Sequence, residues 1–210
     1  MVTLTPVIEV CPFEVPSLWP IADLDGHVPL SDRLAPGEVG TLMHVITVYS
    51  LGPSEGWREG ATPADLAEEL LSMDGLIAPG GLQVHDSAAR LTISPSCCAG
   101  LEDWRGWTAL LQGDQPFLGH DPSPWVEILS DRFRVWPDHR PEQLAQDRFI
   151  DIPATAILNS LQVVQRDLLG FMRAAEIWAL EVVPQHAPAL VERLDEYFDI
   201  RSALRISSEG

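Results

Sequence analysis

The chain opens with a proline-interrupted segment, residues 1–39, in which only Val7–Val10 has the β-branched density of a short strand. The remainder of that segment reads as an irregular, extended lead-in. From Gly40 the pattern changes: Leu42, His44, Ile46 and Val48 alternate with Met43, Val45, Thr47 and Tyr49. This run predicts a central strand, apolar on both faces. A loop over Gly52–Gly60 leads to Thr62-Pro63-Ala64-Asp65, where Thr62 can cap a helix, Pro63 can occupy its first position and Asp65 lies in its first turn. The helix should run to about Met73 on a stripe of Leu66, Leu70 and Met73, with Gly75 as its stop.

Leu82–His85 and Ala88–Ser94 flank Asp86-Ser87 and predict a hairpin; Trp125–Leu129 and Arg132–Trp136, around Ser130-Asp131, predict a second. Between them, Leu101–Gln112 should be a short, tryptophan-rich helix. After Asp151-Ile152-Pro153, taken as a helix start, apolar residues recur from Ile157 through Leu161, Val164, Leu168, Phe171 and Ala175 to Trp178. That spacing predicts one long helix, bent near Gly170 and ended by Pro184, with a last amphipathic helix over Pro188–Phe198 and a frayed end from Ser202. The expected fold is α+β, a mostly antiparallel sheet from the first two thirds packed by a C-terminal helical segment. One domain, 1–210, is expected, with a lead-in (1–39), a strand-rich part (40–137) and a helical part (141–200).

Composition adds a constraint on partners. The chain has 210 residues, 46% hydrophobic, and a formal charge of −18. It can bury a core without disulfides or a structural metal. No apolar run approaches a membrane span, and Glu9 and Glu14 interrupt what would be the apolar region of a signal peptide, so a cytoplasmic location is expected. A surface this acidic disfavours nucleic acid and anionic membranes and favours a protein partner with a basic surface. All 13 basic residues are arginine, which a GC-rich coding bias explains.

The candidate chemistry is concentrated in two stretches. One runs from Ser94 through Cys97, Cys98, Trp104 and Arg105 to Trp107; the other runs from Gly119 through His120, Asp121 and Trp125 to Glu127. Three readings compete. Cys97, Cys98 and His120, with Asp121 or His139, can ligate zinc, although adjacent cysteines lack the usual Cys-x-x-Cys spacing. Alternatively, Cys97 or Cys98 is a nucleophile activated by the helix start at Leu101, with His120 or His85 as base. In the third reading the cysteines end a strand, Trp104 and Trp107 cover the core and Arg105 pairs with a carboxylate. His44 reads as a core histidine, and Glu68-Glu69 and Asp195-Glu196 as solvated helix faces. No Gly-rich phosphate loop, nucleophile elbow or zinc-protease helix is present, so no catalytic residue and no cofactor is assigned.

The Cys97-Cys98-x-Gly-Leu-Glu-x-Trp-Arg-x-Trp run and the Gly119–Glu127 run resemble a pattern of uncharacterised bacterial proteins, some with the look of immunity or antitoxin proteins. The resemblance covers only that stretch and implies a shared surface or structural corner. Together with the charge, it sets the leading expectation: a non-enzymatic module that masks a basic partner, with Cys97, Cys98, Trp104, Arg105, Trp107, His120, Asp121 and Trp125 as candidate binding residues. The alternatives are a thiol- or zinc-dependent enzyme built on Cys97, Cys98 and His120, and an accessory subunit of a larger assembly.

Overall fold

The computed structural model describes residues 1–12, 15–52, 60–139 and 148–204. The fold is α+β, with antiparallel sheets and one long helix. Strands β1 (Val2–Val10), β2 (Gly26–Pro29), β3 (Gly80–Asp86) and β4 (Leu91–Ile93) form a four-stranded sheet in the order β2-β1-β3-β4. Strands β5 (Trp125–Ile128), β6 (Arg132–Trp136) and β7 (Ile150–Pro153) form a three-stranded sheet in that order. The helices are α1 (Pro36–Leu51), α2 (Pro63–Ser72), α3 (Ile157–Val182) and α4 (Ala187–Phe198), with a 3-10 helix over Leu101–Gln112. Both hairpins form, the second turning where expected and the first over residues 87–90, with Asp86 still paired to Leu91 rather than in the turn; α2 carries the expected cap: the Asp65 amide donates to the Thr62 hydroxyl, while the Thr62 amide donates to Asp65.

Three expectations are corrected. Residues 40–49 are helical, the body of α1, not a strand. A run with apolar residues on every side has neither the strand nor the helix period, and a helix of that kind is a buried one. The decisive signals lie just upstream. Pro36 occupies the first turn, and the Ala35 amide donates to Glu38 Oε2 at 2.7 Å, closing the N-terminus. Within the helix the Thr47 hydroxyl donates to the Met43 carbonyl (2.7 Å), so this buried side chain needs no outside partner.

The lead-in is also more ordered than expected, since β1 spans nine residues and is an interior strand of the larger sheet. Pro6, which argues against a strand, is accommodated there: it faces Leu82 on β3 and its carbonyl accepts the Leu30 amide. Finally, Asp151-Ile152-Pro153 does not open a helix. It belongs to β7, where Asp151 receives a two-pronged contact from Arg134 at 2.8 and 3.1 Å, and α3 begins only after a 3-10 turn at Ala154–Ala156. The first part of the expected helical segment, through 147, and the interior of the 52–60 loop lie outside the described residues.

The core joins both sheets to α3 through Ile8, Leu42, Val84, Val126, Leu161 and Phe171, all buried. Gly170 of α3 is a contact point: a Cβ there would stand 2.7 Å from the Asp32 amide nitrogen. Trp104 and Trp107 owe their burial to the 3-10 geometry. With about three residues per turn, Leu101, Trp104, Trp107 and Leu110 fall on one line, and these are the buried residues of that helix. No helix among the described residues is long and apolar enough to cross a membrane.

Candidate functional site

Beyond β4 the chain leaves the sheet and turns sharply. The Ala99 amide donates to the Ser96 carbonyl at 3.0 Å, which closes a four-residue turn with Cys97 and Cys98 at its two central positions. Cys98 has φ of +67°, a left-handed conformation that glycine ordinarily supplies. A side chain there costs about 1 kcal/mol or more, so a cysteine is held against a backbone preference. In an extended strand, successive side chains diverge to opposite faces. In this turn both thiols are exposed and their sulfurs are 3.5 Å apart.

A second loop, Leu118–Pro122, is laid directly on this turn. The Ser96 amide donates to the Leu118 carbonyl and the His120 amide to the Cys97 carbonyl, each at 3.0 Å, while the Ser96 hydroxyl donates to the Pro122 carbonyl at 2.6 Å. Gly119, at φ +90°, makes the approach possible. A Cβ there would lie 2.5 Å from the Ser96 carbonyl oxygen and 2.7 Å from that of Cys97. His120 is thereby carried to the thiols, and one ligand atom from each of Cys97, Cys98 and His120 lies within 4.8 Å of the other two. Around a tetrahedral zinc ion, with Zn–S near 2.3 Å and Zn–N near 2.0 Å, the sulfurs are about 3.8 Å apart and sulfur and nitrogen about 3.5 Å. The arrangement therefore needs only small side-chain rotations to hold such an ion.

Cys97 and Cys98 edge an open groove of about 560 Å³ whose walls include Glu9 of β1, His27 of β2, Tyr49 of α1 and Asp121. Glu9 and His27 face each other across the β1–β2 pair. The Cys97 thiol is pushed above its ordinary pKa by its hydrogen bond with Cys98 and that residue's charge, then by desolvation, and last by the carboxylates of Asp121 and Glu9. The Tyr49 phenol is raised too, by burial first and then by Cys11, Glu9 and Cys97. For Cys97 as the nucleophile this is the wrong environment, because a reactive thiol needs one that stabilises its thiolate. The helix start offers no help, because the Gly100 amide at the head of the 3-10 helix is already directed to Asp103 Oδ2, at 3.4 Å. What these surroundings favour is a cation, which displaces the thiol protons and is held by the nearby carboxylate field.

No protein-family model, curated protein or solved structure matches this chain. The functional reading therefore rests on the residues themselves.

The other candidate residues are placed elsewhere. Trp104 and Trp107 are buried, and the Trp104 indole donates to the Phe198 carbonyl at 2.7 Å, so neither ring is available to a partner. They are not binding residues but core, as the packing reading of their spacing allows. Arg105 lies over Trp104 and ties down the chain after α4: its Nε is 3.0 Å from an Asp199 carboxylate oxygen, and its guanidinium also donates to the Ser202 carbonyl. Trp125 is half-buried on the smaller sheet, stacked on Trp136 and met edge-on by His139. His85 pairs with the Thr92 hydroxyl across β3 and β4 (2.9 Å), so it is not gathered with the thiols. His44 is fully buried, edge-on to Trp19, with Nε2 3.3 Å from the Val15 carbonyl. Glu9, His27 and Tyr49 escaped the sequence reading because each comes from a segment assigned another conformation or no role.

Proposed function

We propose that this protein binds a thiophilic divalent cation of the zinc class through Cys97, Cys98 and His120. The observation that carries the reading is the convergence of two thiols and an imidazole within 4.8 Å on two loops that hydrogen bonds and a close-approach glycine hold together. The flanking carboxylates of Glu9 and Asp121 favour a cation there electrostatically. Three protein ligands leave one tetrahedral position to water or to a small ligand from the groove, which is the open arrangement of zinc sites that exchange ligands or perform chemistry. Exposed paired thiols stay competent as ligands where the surroundings are reducing, which supports a cytoplasmic setting.

The test is an equilibrium titration of the reduced, metal-free protein with zinc against a chromophoric chelator. The expected result is one zinc per chain, with affinity lowered at least about 100-fold in Cys97→Ser, Cys98→Ser and His120→Ala variants. Wild-type protein that binds zinc no more tightly than these variants would sink the proposal.

A second reading is supported by the charge of −18, which favours a basic protein partner, as an inhibitor or immunity protein would require. It predicts a one-to-one complex with a native basic protein whose association rate falls steeply with salt. Association that is absent at low ionic strength would remove it.

A further inference from the structure

The same two sulfurs carry a second property. We infer that Cys97 and Cys98 form a reversible redox pair, in which two-electron oxidation closes a disulfide between them and removes both sulfur ligands from the cation site. The release of the cation rests on the reading proposed above; closure of the disulfide does not, because it follows from the geometry of the turn alone.

The sulfurs stand 3.5 Å apart, both exposed, in a turn whose left-handed second position directs both side chains outward. Closing the bond needs side-chain rotation and an approach of about 1.5 Å to the S–S distance near 2.0 Å. Adjacent residues joined by a trans peptide have Cα atoms about 3.8 Å apart, below the 4.4 Å or so at which ordinary disulfides begin. A bond between them is therefore strained and readily reduced, which suits a switch rather than a permanent staple.

With hydrogen peroxide as oxidant, the Cys98 sulfur attacks an oxygen as its thiolate; the S–O bond forms, the O–O bond breaks and the departing hydroxide takes up the thiol's proton to become water. The neighbouring sulfur then displaces that oxygen from the sulfenic acid; the S–S bond forms, the S–O bond breaks and a second water leaves. Two thiols have given up two electrons and two protons, and peroxide has become two waters. A small thiol such as glutathione reverses the step by exchange through a mixed disulfide. His120 alone cannot hold the cation that three ligands held.

The experiment uses the full chain with Cys11→Ser, which removes the remaining exposed thiol. Metal-free and zinc-loaded samples are treated with peroxide and then with excess dithiothreitol; peptide mass mapping follows the Cys97–Cys98 peptide and a zinc indicator follows released ion. The expected result is loss of the mass of two hydrogens from that peptide in both samples, one zinc released per disulfide formed, and reversal of both changes by the reductant. Sulfinic or sulfonic acids in place of the disulfide, or a disulfide only between chains, would overturn the redox pair while leaving zinc binding intact. Zinc that stays bound after the disulfide has closed would overturn the gating. A disulfide that forms normally in a protein that never takes up zinc would overturn the cation reading and the gating with it, and leave the redox pair standing.

Discussion

The cysteine pair and the tryptophan pair lie within eleven positions of one another, Cys97 to Trp107, yet they end in opposite environments. Both thiols are in solvent, whereas Trp104 and Trp107 are among the most completely buried side chains in the chain. Local geometry separates them. A left-handed residue turns the cysteines outward, and a helix of about three residues per turn then aligns Leu101, Trp104, Trp107 and Leu110 against the core. The tryptophans belong to the core, and the turn leaves its thiols open to solvent. A cluster of uncommon residues in sequence is thus a buried pair and an exposed pair in series rather than one composite surface.

Substitutions should break the two halves in different ways. The largest effect is expected from Trp104→Ala, which removes a large buried ring and the hydrogen bond to the Phe198 carbonyl. It should lower stability by about 3–5 kcal/mol in urea denaturation, with zinc binding lost only as the fold is lost. Cys97→Ser should do the reverse, lowering zinc affinity at least about 100-fold, or about 2.7 kcal/mol, while metal-free stability stays within about 0.5 kcal/mol of wild type. Gly119→Ala tests the contact between the two loops. Its Cβ has no room beside the Ser96 and Cys97 carbonyls, so a stability loss of about 1–3 kcal/mol should accompany a weaker zinc site. The smallest effect belongs to Cys98→Gly, which relieves the left-handed backbone and should stabilise the metal-free protein by up to about 1 kcal/mol while removing a ligand. The same change at Cys97, which carries no such backbone, should give no gain.

Much of the fold was legible where elements carry a period or an end signal. The hairpins around Asp86-Ser87 and Ser130-Asp131, the capped helix α2 and the stripes of α3 and α4 all have one. The errors fall where such signals were missing or mimicked another element. Helix α1 is buried along most of its length, Thr41, His44 and Thr47 included, so its apolar and polar positions do not separate into two faces. Strand β1 contains Pro6, and β7 contains an Asp-Ile-Pro sequence that imitates a helix start. For the site, residue type was enough to single out Cys97, Cys98 and His120. Their meeting was not legible, because it depends on a glycine 22 positions from Cys97 that allows one loop to lie on the other. The walls contributed by Glu9, His27 and Tyr49 required knowing that β1, β2 and α1 converge on the same groove.

The central claim is that two adjacent thiols and one imidazole share a cation. X-ray absorption at the zinc edge of the zinc-loaded, reduced protein tests it most directly. The account predicts two sulfur neighbours near 2.3 Å and lighter neighbours near 2.0–2.1 Å, including an imidazole that disappears in His120→Ala. A first shell of oxygen and nitrogen alone, or a sulfur count that survives replacement of both Cys97 and Cys98, would contradict it.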